Sequence, residues 1–319
     1  MNNVATLSFD LDDKWTYLKT HGDPSWENFP SYHDIVIPRV LTILEKKNLK
    51  ITFFLVGQDA AIDKNTEILK RISDSKHEIG NHSFNHDPWL HLYTEKQIET
   101  DFLKAEENIE KVTGLKPIGF RGPGFSLSQA TLNILEKRGY LYDATILPSY
   151  IAPLARAYFL MKSKLKKEEK DKRKSLFGNF RSGLYPNKPF YWKSDSGQLL
   201  EIPVTTLPLL KIPIHASYIL YLCKLNSRLG IFYFKFALKL CRIAKIQPSL
   251  LLHPLDFLGC EDEKDLNFFP AMQIPREKKI EMLQEILSLY SSQYKIMPLG
   301  EFANEYPRRA SLKKKSYNT

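Results

Sequence analysis

Cysteine is scarce in this chain: Cys223, Cys241 and Cys260 are the whole complement among 319 residues. Three thiols, none in a C-x-x-C arrangement, exclude a disulfide framework and a cysteine metal knuckle and point to a reducing compartment. Glycine (14) and proline (19) are too few for a fibrous or low-complexity chain. The longest uncharged apolar stretch of the C-terminal half, Ile212–Cys223, is too short to cross a bilayer and is interrupted by Pro213. The N-terminus shows no basic region followed by an apolar one, since Val4–Phe9 reads directly as a strand. These absences lead us to expect a cytoplasmic protein, at most peripheral to the inner face of the membrane.

What is present is ordinary in bulk and uneven in detail. With 43% hydrophobic and 26% charged residues the chain reads as globular rather than disordered, long enough for one large α/β domain or two small ones. The net charge of +10 comes from two segments, 162–174 and 308–319, each contributing +5. The remainder is near neutral, which argues against a nucleic-acid groove built into the fold, and the basic segments lack interleaved aromatics. They suit a phosphate-bearing or membrane surface, or are simply solvated.

Along residues 1–150, short apolar runs alternate with helical spacing. Strands are predicted at Val4–Phe9, Ile51–Val56, Glu78–Gly80 and Gly119–Arg121, and helices at Ile35–Lys47, Asn65–Ser73, Thr94–Thr113 (stopped by Gly114) and Ser128–Arg138 (stopped by Gly139). Strands each followed by a helix imply a parallel sheet with crossovers, hence an α/β barrel or a doubly wound sheet. Beyond 150 the alternation fades, and 151–248 reads as an elaborated insertion within one domain. Strands return at Leu199–Val204, Ser249–Leu252 and Tyr294–Met297, with a last helix over about 276–291. The domain is expected to span 1–305 and a basic tail 306–319.

Four places carry chemistry. The first strand ends S-F-D-L-D-D, and alternation points Asp10 and Asp12 the same way, at the strand end where α/β folds place their sites. The third strand runs into N-H-S-F-N-H. On a helical turn the four-residue spacing would set His82 and His86 on one face, where two imidazoles and a carboxylate could share a divalent metal. Arg121, in F-R-G-P-G, could be a fixed cation beside a carboxylate. His253, ending the late strand S-L-L-L-H-P, suits general acid work.

Taken in order, S-F-D-L-D (8–12), T-F-F-L-V-G (52–57), H-E-I-G-N-H-S-F-N-H (77–86), F-R-G-P-G (120–124), Y-D (142–143) and L-L-H-P (251–254) resemble the polysaccharide deacetylases, the NodB-homology domains, over roughly 4–150 and again near 249–299. The resemblance implies a distorted (β/α) barrel and metal-dependent hydrolysis of an N-acyl group, usually acetyl, from a sugar. It implies Asp10 as catalytic base, Asp12, His82 and His86 as metal ligands, Arg121 as the residue holding the base, His253 as general acid and Asp143 as the carboxylate orienting that histidine. Zinc is the first choice of metal, with cobalt, nickel, manganese and iron as alternatives. Two departures stand out. Most members have adjacent aspartates where Leu11 separates Asp10 from Asp12, which brings Asp13 in as a rival ligand. The tryptophan that usually follows the fourth motif is replaced by A-T-I-L-P (144–148), which leaves the acyl group open.

The D-x-D form also occurs in the branch acting on lipid-linked sugars. In the insertion, Lys224, Arg228, Lys235, Lys239, Arg242 and Lys245 fall on one helical stripe, opposite Leu222, Leu225, Leu229, Phe232, Tyr233, Phe236, Leu240 and Ile243. That pattern fits a helix packed on the barrel with its basic face in water, or a helix lying in the membrane interface. The expected substrate is an N-acyl amino sugar on a polyprenyl-phosphate or glycolipid precursor. The rivals are a soluble sugar or non-sugar amide, and a catalytically silent carbohydrate-binding protein.

Overall fold

The computed structural model describes residues 3–151, 165–173, 180–193, 199–306 and 314–317, with positions 154, 157, 160, 161 and 163 between. Ten strands form one sheet: β1 (Val4–Leu11), β2 (Thr52–Leu55), β3 (Glu78–Asn81), β4 (Gly119–Phe120), β5 (Tyr142–Asp143), β6 (Phe190–Trp192), β7 (Leu200–Glu201), β8 (Ser249–Leu252), β9 (Lys295–Met297) and β10 (Lys314–Lys315). The order is β10-β6-β7-β5-β4-β3-β2-β1-β8, with β9 also paired to β1. From β7 through β8 every pairing is parallel; β6 runs antiparallel to β7. The sheet curls, and its far edges meet where Thr205 N–H donates to Ser249 O (3.1 Å) and Ser249 N–H to Thr205 Oγ1 (2.6 Å). A curled, parallel-rich sheet with crossover helices is the expected distorted (β/α) barrel.

Local sequence explains the elements. Parallel strands covered on both faces need continuous apolar runs, and β2, T-F-F-L, is buried at every position. Helix Glu95–Thr113 starts at a Thr94/Gln97 capping box and stops at Gly114, whose φ of 70° is left-handed. Ser128 caps Gln129–Lys137 by accepting from Thr131 N–H, and Asp13 caps Lys14–His21 by accepting from Lys14 N–H. The strands and helices expected within 1–150 all form. Of the expected strand Leu199–Val204 only Leu200–Glu201 is strand, but beyond β7 Ile202 N–H bonds Asp143 O and Val204 N–H bonds Ile146 O, so this segment continues the barrel wall rather than standing apart from it.

The basic-apolar stretch differs from its expected register. It forms two helices, Ala216–Leu225 and Ser227–Ile243, the second capped by Asn226. The second helix carries two apolar stripes, and the one that packs inward is not the one opposite the cations. Helix Ser227–Ile243 buries Gly230, Ile231, Phe234, Ala237, Leu238 and Cys241, a stripe at the i, i+3, i+4, i+7 spacing. Leu225, Leu229, Phe232, Phe236 and Ile243, expected to face inward together, are exposed beside Arg228, Lys235, Lys239 and Arg242. Residues 162, 164 and 174 of the basic segment, and residues 307–313, 318 and 319 of the tail, lie outside the described residues; Lys167–Lys172 of that segment form a short helix. Within the tail, β10 pairs with β6 and the Tyr317 ring packs 6.2 Å from Trp192.

Candidate metal centre and catalytic site

Strand ends converge at one mouth of the barrel. Asp10 lies in β1, paired in register with Phe54 of β2, and Asp12 directly follows β1. One oxygen of Asp12, Oδ1, lies 3.2 Å from His82 Nε2 and 3.0 Å from His86 Nε2. His82 Nδ1 is 2.6 Å from the Arg121 carbonyl oxygen, which can only accept, so Nδ1 carries the proton and Nε2 turns its lone pair on Asp12. Three electron-pair donors thus face one another in a buried pocket. That donor set, two imidazoles and a carboxylate with one imidazole fixed by an outer hydrogen bond, fits a divalent cation. Burial opposes the charge on Asp12, but the imidazoles outweigh it and hold the carboxyl well below its usual range. Burial pushes His86 down, whereas for His82 the charges of Asp10 and Asp12 outweigh burial and the imidazole moves up.

The route to this geometry is not a helix. Residues 82–86 form a loop in which Ser83 (φ 62°) and His86 (φ 50°) are left-handed, a conformation that costs a non-glycine residue about 1–3 kcal/mol. The loop is pinned from three sides. Ser83 Oγ accepts from His86 N–H, and Gly57 and Gln58 donate to the carbonyls of Ser83 and Phe84. Asp101 accepts from the N–H groups of Phe84 (2.9 Å) and Asn85 (3.2 Å). The histidine spacing therefore converges by loop closure, not by helical periodicity.

Beside this pocket, Arg121 Nη1 donates to Asp10 Oδ1 (2.7 Å) and Ser8 Oγ (2.8 Å), while Nε donates to Ala144 O (2.9 Å). Its guanidinium lies 4.4 Å over the Phe54 ring. That ring needs Gly80 on the next strand, because a Cβ there would sit 2.5 Å from Phe54 Cδ1. His253 Nε2 stands 3.9 Å from Asp10 Oδ2, on the far side from Arg121 Nη1. The loop after His253 is braced by Asp256, which accepts from His253 N–H (2.8 Å), and by the buried Lys279 ammonium on the carbonyls of Leu255 and Leu258.

Residues 25–142 match the polysaccharide deacetylase family model. A peptidoglycan deacetylase of Helicobacter pylori is 33% identical over 120 residues, covering 38% of this chain and 40% of that protein. The peptidoglycan-N-acetylmuramic acid deacetylase PdaA of Bacillus subtilis is 34% identical over 110 residues, 34% of this chain and 41% of that one. The chain thus spans about two fifths of the length of these curated relatives. A crystal structure from Mycobacterium smegmatis, described as a candidate polysaccharide deacetylase, superimposes with a TM-score of 0.65 over 100% of this chain and 95% of that one; at 19% identity it shows a common fold. The matched model and the names of the relatives agree on a polysaccharide deacetylase-like segment within residues 1–150.

Asp143 makes different contacts from those the family resemblance implied. It accepts from Thr145 N–H (3.1 Å) and Thr145 Oγ1 and pairs with the buried Glu201. Burial and then the charge of Asp143 drive the Glu201 carboxyl well above its usual range. Glu201 also accepts from Ile146 N–H (2.9 Å) and Trp192 Nε1 (3.2 Å), which ties β5 to β6 and β7. Among the described residues no hydrogen bond or ion pair joins Asp143 to His253. Asp13, the rival ligand, turns away from His82 and His86 into another cluster, with His33 and Asp59.

Sequence reasoning missed two neighbours of the site. Tyr17, in the first turn of helix Lys14–His21, faces Asp12, Asp256 and Asp10, and burial followed by those charges raises its phenol well above the usual range. His215 is buried with its ring centroid 5.8 Å from that of His253, and burial, then His253, hold it well below its usual value. Tyr17 could have been found as a polar group one turn beyond a candidate ligand. His215 lies 38 positions before His253 and carried no local signal.

Proposed function

We propose that this chain is a divalent-metal-dependent hydrolase that removes an N-acyl group, acetyl first among them, from an amino sugar. One observation carries the reading: a buried Asp12–His82–His86 set, an Arg121-bound Asp10 and His253 all open on the same mouth of the barrel. A cation held by Asp12, His82 and His86 would supply a Lewis acid, lowering the pKa of water and polarising an amide carbonyl. Asp10 removes the proton from the attacking water. Arg121 aims Asp10, since the guanidinium bonds Oδ1 and leaves Oδ2 toward the reaction space. His253 gives a proton to the departing nitrogen, without which an amine leaves poorly. Each such acid or base contributes about 10²–10⁴-fold.

The substrate we favour is a lipid-linked or glycolipid precursor. Support comes from the outward face of helix Ser227–Ile243, where Phe232 (65% exposed) stacks on Phe236 among cations. Apolar and basic groups alternating on one exposed surface suit an interface with anionic headgroups. No described helix is long and apolar enough to cross a membrane. The relatives' names favour a second reading of the same chemistry, on N-acetylated peptidoglycan.

The test is metal analysis of the purified chain alongside acetate release from lipid-linked N-acetyl sugars, free N-acetyl sugars and peptidoglycan. His82→Ala is expected to lose one bound ion and all turnover. Release from peptidoglycan alone would favour the second reading. No release from any amide, with the ion in place, would leave a binding protein and sink the hydrolase.

A further inference from the structure

A second buried cluster lies one residue away from the first and has no part in the chemistry above. Asp13 uses Oδ1 to accept from Lys14 N–H (2.8 Å) and Tyr32 N–H (3.0 Å), while its Oδ2 has no hydrogen-bond partner. Asp59, in helix Gly57–Ala61, accepts at Oδ1 from Trp15 Nε1 (2.6 Å), and its Oδ2 has none either. His33, at the start of helix His33–Lys46, has neither ring nitrogen hydrogen-bonded, and Nδ1 stands 3.6 Å from Asp13 Oδ2. All three residues are 1% exposed.

We propose that Asp13, His33 and Asp59 form a second divalent-cation site, distinct from the Asp12–His82–His86 centre and structural in role. One ligand atom from each of the three residues lies within 4.8 Å of the others, a spread that a transition-metal ion of the zinc or manganese class can draw together with small side-chain movements. Each carboxylate has one oxygen fixed by the fold and the other free toward the cluster, so the donors are already oriented. Two buried carboxylates side by side are costly without a cation, and among the described residues no lysine or arginine makes an ion pair with either. Sharing a proton would satisfy a pair of oxygens, but no hydrogen bond joins Asp13 to Asp59, and the imidazole would remain unused.

The position gives the ion a task. It would tie the end of β1 to the helices that begin at His33 and Gly57. Asp12 lies on the same turn, its carbonyl held by the Tyr32 hydroxyl. Fixing Asp13 therefore fixes the backbone that presents Asp12. The proposal does not depend on the hydrolase reading, because it concerns ion number and place.

The experiment counts ions. Full-length protein is stripped with chelator, reloaded with Zn²⁺ or Mn²⁺, and measured by native mass spectrometry and by anomalous diffraction at the metal edge. We expect two ions per chain in the parent, one in His82→Ala, one in Asp59→Asn and none in the double variant, with an anomalous peak among Asp13, His33 and Asp59. Asp59→Asn keeps the shape and the Trp15 bond and offers an amide to Asp13. If the cluster is only a proton-sharing pair, that variant holds as many ions as the parent and melts higher, and the proposal is overturned. If His82→Ala loses no ion while Asp59→Asn loses one, the first centre fails and the second stands. Should the variants fail to fold, the parent's anomalous map decides: no peak among the three residues refutes the site.

Discussion

Residues 4–143 and residues 199–306 build one site by different means. The first region is a regular succession of β1 to β5 and their helices, and it supplies Asp10, Asp12, His82, His86 and Arg121, a cation site and a restrained base. The second is irregular. It closes the barrel through Thr205 and Ser249, sends in His253 with His215 beside it, and carries helix Ser227–Ile243, whose outer face is half apolar. The family model stops at residue 142, near the boundary between the two. The contrast teaches that the Asp–His cluster is held by parallel strand ends and the pinned loop after β3. In the proposed reaction, the proton donor and the surface that meets the substrate would come from the less regular region.

The sharpest way to break this division is to remove one group from each side. Asp10→Asn and His253→Ala should each lower turnover by about 10²–10⁴-fold while the ion content of the first centre stays intact. Acetate release and metal analysis check both; parental turnover in either variant would end that residue's role. Next in size is Arg121→Met. It strips Asp10 of its buried partner and should cost about 3–5 kcal/mol in urea unfolding, because an uncompensated buried charge remains. A loss below about 1 kcal/mol would mean that Asp10 is better solvated than its burial indicates.

His77 tests the framework of the first region alone. Burial, and then Lys50, press its imidazole from 6.5 to about 4, and its neutral Nδ1 accepts from Ile51 N–H (3.3 Å). The folded value lies below the unfolded one, so this stability is complete above pH 6.5 and drains away as the pH falls through 6.5 toward 4. The loss is about 3 kcal/mol, and His77→Gln should flatten that slope in urea midpoints measured across the window. An unchanged slope would show that other groups govern it.

The smallest effect belongs to the second region. Replacing Phe232 and Phe236 together by serine should change stability by less than about 0.5 kcal/mol per site, since both rings are exposed. Partitioning onto anionic vesicles should nevertheless fall roughly 30-fold, because each of the two half-buried rings contributes about 1 kcal/mol at an interface. Equal partitioning of variant and parent would remove the membrane argument and leave a soluble or polymeric substrate.

Much of this was legible in the residues. Alternating strands and helices named the fold, because apolar periodicity is a local property of each segment. The ordered motifs brought Asp10, Asp12, His82, His86, Arg121 and His253 to attention, because strand ends are where such folds collect polar groups. Reading S-F-N-H as a helical turn misjudged the path. The left-handed residues Ser83 and His86 are held by Asp101 and by the amides of Gly57 and Gln58, partners that lie outside the motif. The face of helix Ser227–Ile243 went astray because the helix carries two apolar stripes, and only packing shows that Ile231, Phe234, Leu238 and Cys241 lie underneath.

The sequence by itself determined the order of strands and helices, the capping positions and the identity of the reactive side chains, all of which depend on neighbours a few positions away. Tertiary structure decided the partners. It set Asp143 against Glu201 rather than His253, turned Tyr17 and His215 toward the site, and sent the adjacent Asp12 and Asp13 into separate clusters. Those outcomes follow from which distant segments the closing sheet brings within a few ångströms, and the energies that settle them, desolvation and hydrogen bonding, exist only once the chain is packed.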